Sequence, residues 1–355
     1  MVGILTEENY IKTFWGQQMF ISLTERLRAK RIPYCEIIED CYADLEAIFI
    51  IAADFNWTQS ATQQLNQAGH TPILLCNQSE SLPGCIYSCV CTDIRASMKA
   101  LLETIKQKGK KRIAIYGVNN SSISDISRVN DLFLWKDSET ENIQVFYNDA
   151  SFEKCFESFE NEAKNFDAVI CMNDYIAISL VNHLKEKDEG LLSDMLIISC
   201  VDCRLIDRYK DYITPLQLSF SEYGKAAVCA YEILKKHGNM STVTLRVNCN
   251  IKNRAQKMPE AAKLQLEAID NSFYKDSEFK ELHIADMVYN ITDNTDKLIL
   301  KSISQGKPYD TIANECYLSV GSVKYRIKRI LSFVGCESKD ELVSILKKYG
   351  KRNSL

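Results

Sequence analysis

Apolar residues in the first two hundred positions follow two alternating rhythms. Short continuous runs at residues 2–5, 34–38, 47–52, 72–76, 85–90 and 112–116 alternate with longer stretches at helical spacing, 11–30, 59–67 and 94–106. In the first long stretch Phe14, Met19, Leu23 and Leu27 recur near helical spacing. Gly69 and Gly109 stand where helix C-terminal glycines belong, and Lys108, Lys110 and Lys111 complement a helix C-terminal dipole. The same alternation then repeats: helix 124–135, strand 143–147, helix 152–165, strand 168–172, helix 175–185, strand 195–200. Continuous apolar strands separated by amphipathic helices predict parallel sheets covered on both faces. The expected fold class is α/β, two doubly wound lobes, with ligands taken at the carboxyl ends of the strands. The loops to inspect are therefore 6–9, 54–57, 119–122, Asn173-Asp174 and Val201-Asp202, although any polar loop residue can equally be a turn former or cap.

Beyond residue 290 the rhythm becomes purely helical. Asp293 has the form of an acidic N-cap with Asp296 three residues on, followed by Leu298, Ile299, Ile303 and a stop at Gly306. Residues 309–316 make a short second helix presenting Ile312, Ala313 and Cys316. Ser319 caps a third, whose Val320, Val323, Ile327, Ile330, Leu331 and Val334 fall within about 100° of arc. Its opposite arc carries Gly321, Tyr325, Lys328, Arg329 and Ser332, flanked by Ser322, Lys324 and Arg326. A fourth helix begins at Ser338, with Glu341 completing a capping box. Between body and tail, 255–290 is polar at first and then apolar enough for one or two connecting helices.

Charge sharpens this division. From Asp296 to Leu355 there are 12 Lys+Arg against 6 Asp+Glu; before that, 31 against 41. The mild net charge of -4 is thus an acidic body of -10 with a basic tail of +6. A compact basic unit is the electrostatic footprint of a polyanion partner, the alternative being a solvated lysine-rich surface. With 355 residues, two or three domains are expected.

Other chemistries find little material. Glycine is scarce, 13 residues, and neither of the common glycine-built nucleotide loops is present, so no cofactor is expected. The start of the chain has no basic n-region, and the strongest apolar run, 47–53, is far too short to span a bilayer, which points to the cytoplasm and away from membranes. Fourteen scattered cysteines read as reduced thiols. The pairs Cys89/Cys91 and Cys200/Cys203 lack the further ligands of a zinc site and suit small buried hydrophobes. No nucleophile–base pair or paired-carboxylate motif stands out, so turnover is not expected.

Residues 1–254 resemble the effector-binding domain of lactose-repressor and galactose-repressor regulators, the type I periplasmic-binding-protein fold. The resemblance rests on Asp93 before helix 94–106 and its Lys-Gly-Lys-Lys-Arg-Ile-Ala-Ile-Tyr exit, on Ser127-Arg128, on Asn173-Asp174-Tyr-Ile-Ala, and on Ile197-Ile-Ser-Cys-Val-Asp202. It implies three crossings between lobes, placing 1–116 and 217–241 in one lobe and 119–215 with 242–254 in the other. It also implies an effector in the hinged cleft, a sugar or another polar small molecule, contacted by Arg128, Asn173 and Asp202. Structural ion pairing of Arg128 and Asp202 is the competing role. Departures from the family occur at Asn130, Cys200 and Glu7-Glu8.

The tail, taken as 291–355, resembles the C-terminal helix-turn-helix of LuxR-type transcriptional regulators through Ile312-Ala313, Ser319-x-x-Ser322-Val323-Lys324, Ile330, Val334-Gly335 and Glu341-Leu342. The resemblance implies double-stranded DNA as partner, with Ser322, Lys324 and Arg326 as recognition-helix contacts. Tyr325, Lys328 and Arg329 join them from the exposed arc. Together the two resemblances imply a one-component transcriptional regulator, a homodimer on a two-half-site operator. The alternative is a phosphorylation-controlled response regulator, faintly echoed by Glu7-Glu8 and Asp54, though a receiver would fill only half of the body.

Overall fold

The strands β1 (Val2–Thr6), β3 (Ala47–Ile51) and β5 (Ser88–Thr92) are apolar or small along nearly their whole length because helices cover both their faces. In the computed structural model, which describes residues 1–37, 42, 44–75, 82–137, 140, 142–200, 203–216, 219–249 and 276–349, they join β2 (Tyr34–Glu36), β4 (Ile73–Leu75) and β11 (Thr244–Val247). The order is β11-β5-β4-β3-β1-β2, every pairing parallel.

A second parallel sheet, in the order β10-β9-β8-β6-β7, is built from β6 (Arg112–Val118), β7 (Asn142–Tyr147), β8 (Ala168–Cys171), β9 (Leu196–Cys200) and β10 (Ile213–Leu216). The two-lobed, doubly wound α/β class is the observed one. Helices connect the strands: α1 (Glu8–Ile11), α2 (Phe14–Ala29), α3 (Phe55–Gln67), α4 (Ile94–Gln107), α5 (Ile123–Trp135), α6 (Phe152–Glu160), α7 (Asp174–Lys187), α8 (Glu189–Asp194) and α9 (Phe220–Lys236). Several begin on a side-chain cap, Asp54, Asp93, Ser122 and Asn173 each accepting a backbone N–H from the first turn. Helix α9 lies so close to α2 that a Cβ at Gly224 would come within 2.2 Å of the Ser22 carbonyl oxygen. Only glycine fits there, and this contact returns residues 220–236 to the first lobe.

Two boundaries differ from the sequence reading. Residues 242–254 were expected in the second lobe, yet Thr244–Val247 pairs with Ser88–Thr92 at the edge of the first sheet. Backbone N–H groups fix this: Cys89 donates to the Val243 carbonyl and Asp93 to the Val247 carbonyl. Residues 203–211, expected in the second lobe, also leave it. Among the described residues, 1–200 with 212–249 form one unit, and 203–211 with 276–349 form another. Residues 250–275, which include most of the expected connector, lie outside the described residues, as do Asp202 and the last six positions.

The second unit is helical: α10 (Ser277–Ile291), α11 (Asn294–Ser304), α12 (Tyr309–Glu315), α13 (Val320–Val334) and α14 (Lys339–Tyr349), with a 3-10 segment at Arg204–Tyr209. Its core gathers Ile299, Ile303, Ile312, Ala313, Val323 and Ile327 from three helices, the apolar arc expected of α13. No helix among the described residues is long and apolar enough to cross a membrane.

Candidate functional site

In the α/β unit the lobes meet where the strand ends face one another. Asp54 at the start of α3 forms an antiparallel bridge with Ser122 at the start of α5. Arg95 of α4 reaches Asp131 of α5 at 3.2 Å, and the rings of Trp15 and Tyr175 lie 5.4 Å apart. Beside the bridge a cleft of about 330 Å³ is lined from one lobe by Asp54, Phe55 and Asn56, and from the other by Asn120, Ser121 and Ser127. This volume is at the lower end of small-ligand sites, and its lining mixes hydroxyl and carboxamide groups with the apolar Phe55 and Ile126. Glu7 is buried behind it, accepting from the Ala53 and Asp54 N–H groups at 2.8 and 3.0 Å, with its carboxyl pushed up by burial. Asp54 accepts from Trp57 N–H at 2.8 Å, so both acidic positions serve the start of α3.

Arg128 lies deeper, 8% exposed. Its guanidinium donates to Asp125 at 3.1 Å and to the Met172 carbonyl at 3.3 Å. Full burial pushes the Asp125 carboxyl up to about 6, against the opposing pull of Arg128. The space beside Arg128, enclosed by Thr92, Ser97, Cys200, Leu216 and Cys249, is about 10 Å³. That holds one water at most, so any larger molecule reaching Arg128 requires the lobes to part. Burial raises the Cys200 thiol to about 12 and the Cys249 thiol to about 11, which keeps both protonated. Asn173 caps α7, its side chain accepting from Ile176 N–H at 3.1 Å. The structure thus brings Arg128, midway along α5, against the Met172 carbonyl beside Asn173 at the start of α7, with Asp202 outside the described residues.

Among the described residues no group of three or more His, Cys, Asp or Glu side chains is gathered as for a metal ion. Cys89, Cys91, Cys200 and Cys203 are all buried and none is in a disulfide.

In the helical unit, α12 and α13 are joined by a turn at Tyr317, whose φ of 54° is left-handed. Ser319 caps α13, accepting from Ser322 N–H at 3.1 Å, and Gly335 ends it at a φ of 73°. The six candidate DNA-contacting residues separate into two groups. Lys324, Tyr325 and Lys328 are exposed, Tyr325 at 69%, and Ser322 is half-buried beside the Ser319 cap. Arg326 instead reaches Asp293 at 2.9 Å and Asp296 at 2.8 Å, and Arg329 reaches Asp296 at 2.6 Å. Asp296 is fully buried and closes a capping box with Asp293. The two arginines therefore tie α13 to the start of α11, and the lysines carry the open positive charge of the helix.

Sequence reasoning missed the 3-10 segment. Leu205 and Ile206 are buried in the helical unit, and Leu205 N–H donates to the Asp286 carboxylate at 2.9 Å. The Arg208 guanidinium lies 3.9 Å from the centroid of the Tyr289 ring. The signal available was an apolar Leu-Ile pair in a stretch assigned to the second lobe without an element of its own.

No protein-family model matches this sequence, and no curated protein matches it. Among solved structures the chain is similar to the Lac repressor bound to ONPG in its repressed state, with a TM-score of 0.59 and 14% identity over 72% of this chain and 81% of that one. It is similar to GanP, a glucose-galactose binding protein from Geobacillus stearothermophilus, with a TM-score of 0.59 and 10% identity over 70% and 96%. A LacI family transcriptional regulator from Arthrobacter sp. FB24 in complex with lactose gives 0.55 and 15% over 71% and 97%. The neighbours are thus regulators and binding proteins, and the α/β unit has their two-lobed, periplasmic-binding-protein-like fold.

Proposed function

We propose that this protein is a DNA-binding transcriptional regulator in which a small polar molecule, sugar-like in its hydrogen-bonding needs, binds between the two lobes and controls a C-terminal helix-turn-helix of LuxR type. The observation that carries the reading is α13. Its apolar arc is buried against α11 and α12, while Lys324, Tyr325 and Lys328 stand exposed on the other side after a capped turn. That is the geometry of a helix offered to a major groove. The similar structures, bound to ONPG or lactose or belonging to a glucose-galactose binding protein, support a polyol-sized effector.

The cleft at Asp54, Asn56, Asn120 and Ser121 is the entrance for such a molecule. Arg128 and Asn173 form the deeper contacts reached when the lobes part, and Asp202 is the third effector contact that the resemblance implies. Cys200 ends β9, three residues before a segment built into the helical unit, so a movement of that strand end pulls on α10 through Leu205 and Asp286. Binding that favours one lobe arrangement shifts the helix-turn-helix equilibrium by no more than its differential affinity for the two states. Two copies on paired half-sites complete the reading.

The test is fluorescence anisotropy of a labelled mixed-sequence duplex titrated with the full chain from 50 to 200 mM KCl. Binding should fall steeply with salt, and Lys324→Ala with Lys328→Ala should reduce the slope of log K against log salt by about 2. Absence of binding at 50 mM KCl would remove DNA as the partner.

A further inference from the structure

Lys324 on α13 and Lys339 at the start of α14 converge on one aromatic ring supplied by a third helix. Each ammonium nitrogen lies 5.7 Å from the centroid of Tyr309, the first residue of α12. The two cations are therefore no farther apart than twice that distance, comparable with the Debye length of about 10 Å at 0.1 M salt, so they repel one another in the free protein. The ring partly offsets this, since its electron-rich face attracts both. Little else does. Among the described residues no carboxylate lies within 4.0 Å of Lys324, and Lys339 has only Asp340, at 4.0 Å and 92% exposed. The other cations nearby are committed: Arg326 and Arg329 to Asp296, Lys307 to Glu315 at 2.6 Å. Three helices thus gather two weakly compensated positive charges around one half-buried ring, with Lys324 on the same helix as the exposed Tyr325 and Lys328.

We infer that Lys324, Tyr309 and Lys339 form a seat for a backbone phosphodiester of duplex DNA, extending the nucleic-acid footprint from α13 onto the first turn of α14. The inference rests on the proposed DNA-binding reading and adds to it a contact outside the recognition helix. An anion bridging the two lysines relieves their repulsion, and the ring, packed against Ile312, Val323 and their neighbours, holds the two ammonium groups that receive it. Because phosphates carry no sequence information, the seat sets register and orientation, not base preference.

The full chain is titrated into a mixed-sequence 30-base-pair duplex by anisotropy across the same salt series. Lys339→Ala should weaken binding several-fold at 50 mM KCl and lower the salt slope by about 1. Lys347→Ala, an equal charge loss at an exposed position on the same helix, is the control and should leave the slope unchanged. Tyr309→Phe keeps the ring and should bind as wild type; Tyr309→Leu, checked for an unchanged melting temperature, should lose affinity with the lysines in place. Inorganic phosphate should compete no better than chloride at equal ionic strength. The proposal is overturned if Lys339→Ala behaves as Lys347→Ala, or if phosphate competes selectively and so marks a small-anion site. Wild-type protein that shows no salt-dependent binding would instead bring down the DNA-binding reading itself, and the seat with it.

Discussion

The backbone N–H of Leu205 donates to the carboxylate of Asp286 at 2.9 Å, with both residues fully buried in the helical unit. The donor comes from the stretch that joins two neighbouring strands of the second sheet, β9 and β10, and the acceptor from the first helix of the C-terminal unit. A segment whose two ends belong to the α/β unit is therefore part of the helical unit's interior. Replacing Asp286 by Ala leaves the Leu205 N–H without its partner and removes the acceptor of the Asn290 amide at 3.2 Å. Thermal and urea unfolding of the full chain should show the helical unit destabilised by about 1–3 kcal/mol, with Asp286→Asn recovering part of the loss. An unchanged transition for Asp286→Ala would show that this hydrogen bond contributes nothing.

Asp296 is the second buried carboxylate of that unit, and it serves both the α11 cap and the two arginines of α13. Asp296→Ala should lower the unfolding free energy by about 2–3 kcal/mol, the sum of a lost cap and a broken pair whose arginines are half in water. Arg326→Ala should cost less, since Arg329 still reaches the same carboxylate at 2.6 Å. Urea denaturation of the two variants checks the ranking, and equal losses would contradict it.

The two units should respond to acid in opposite directions. Asp125 has its carboxyl raised by burial to about 6, so in the native state it takes up a proton before the unfolded chain does. Its contribution favours folding below the ordinary carboxylate value and is lost as pH rises through about 6. On acidification from pH 7 to 5 the α/β unit should therefore gain stability relative to Asp125→Asn, by an amount on the order of 1 kcal/mol. All three tryptophans, Trp15, Trp57 and Trp135, lie in this unit, so their emission during urea unfolding reads it alone.

His283 in α10 is buried and stacked 6.2 Å from the Phe279 ring, and burial lowers it to about 4. Here the unfolded chain binds the proton first, so stability is complete above pH 6.5 and falls as the pH drops toward 4. Far-UV circular dichroism should show the helical unit losing up to about 3 kcal/mol over that range, with His283→Leu flattening the dependence. A dependence that survives the substitution would assign it to other groups.

Much of this architecture was legible in the chain because periodicity reports burial directly. The apolar runs gave nearly every strand of both sheets, and the caps at Asp93, Asn173, Asp293 and Ser319 marked helix starts that the structure reproduces. Partnership was harder to read. Thr244–Val247 has only Val247 buried, so an edge strand with so weak a pattern does not reveal which sheet it joins. A helical wheel placed Arg326 beside the exposed arc correctly but could not see Asp293 and Asp296 arriving from another helix. For the same reason the sequence offered Arg128 an effector or an ion pair with Asp202, but not its pairing with Asp125, three residues before it on the same helix. The apolar Leu205 and Ile206 were too short a run to show that their stretch leaves the second lobe for the helical unit.

The central claim is that one chain senses a small molecule and reads DNA, and the direct measurement is linkage between the two. A thermal-shift panel of mono- and disaccharides, nucleosides and amino acids on the full chain identifies a binder, and duplex-DNA affinity is then measured with and without it at saturation. A fold-change α in DNA affinity, with the same factor appearing in ligand affinity when DNA is added, is the predicted result. A ligand that raises the melting temperature of the α/β unit while leaving DNA affinity untouched would contradict the account.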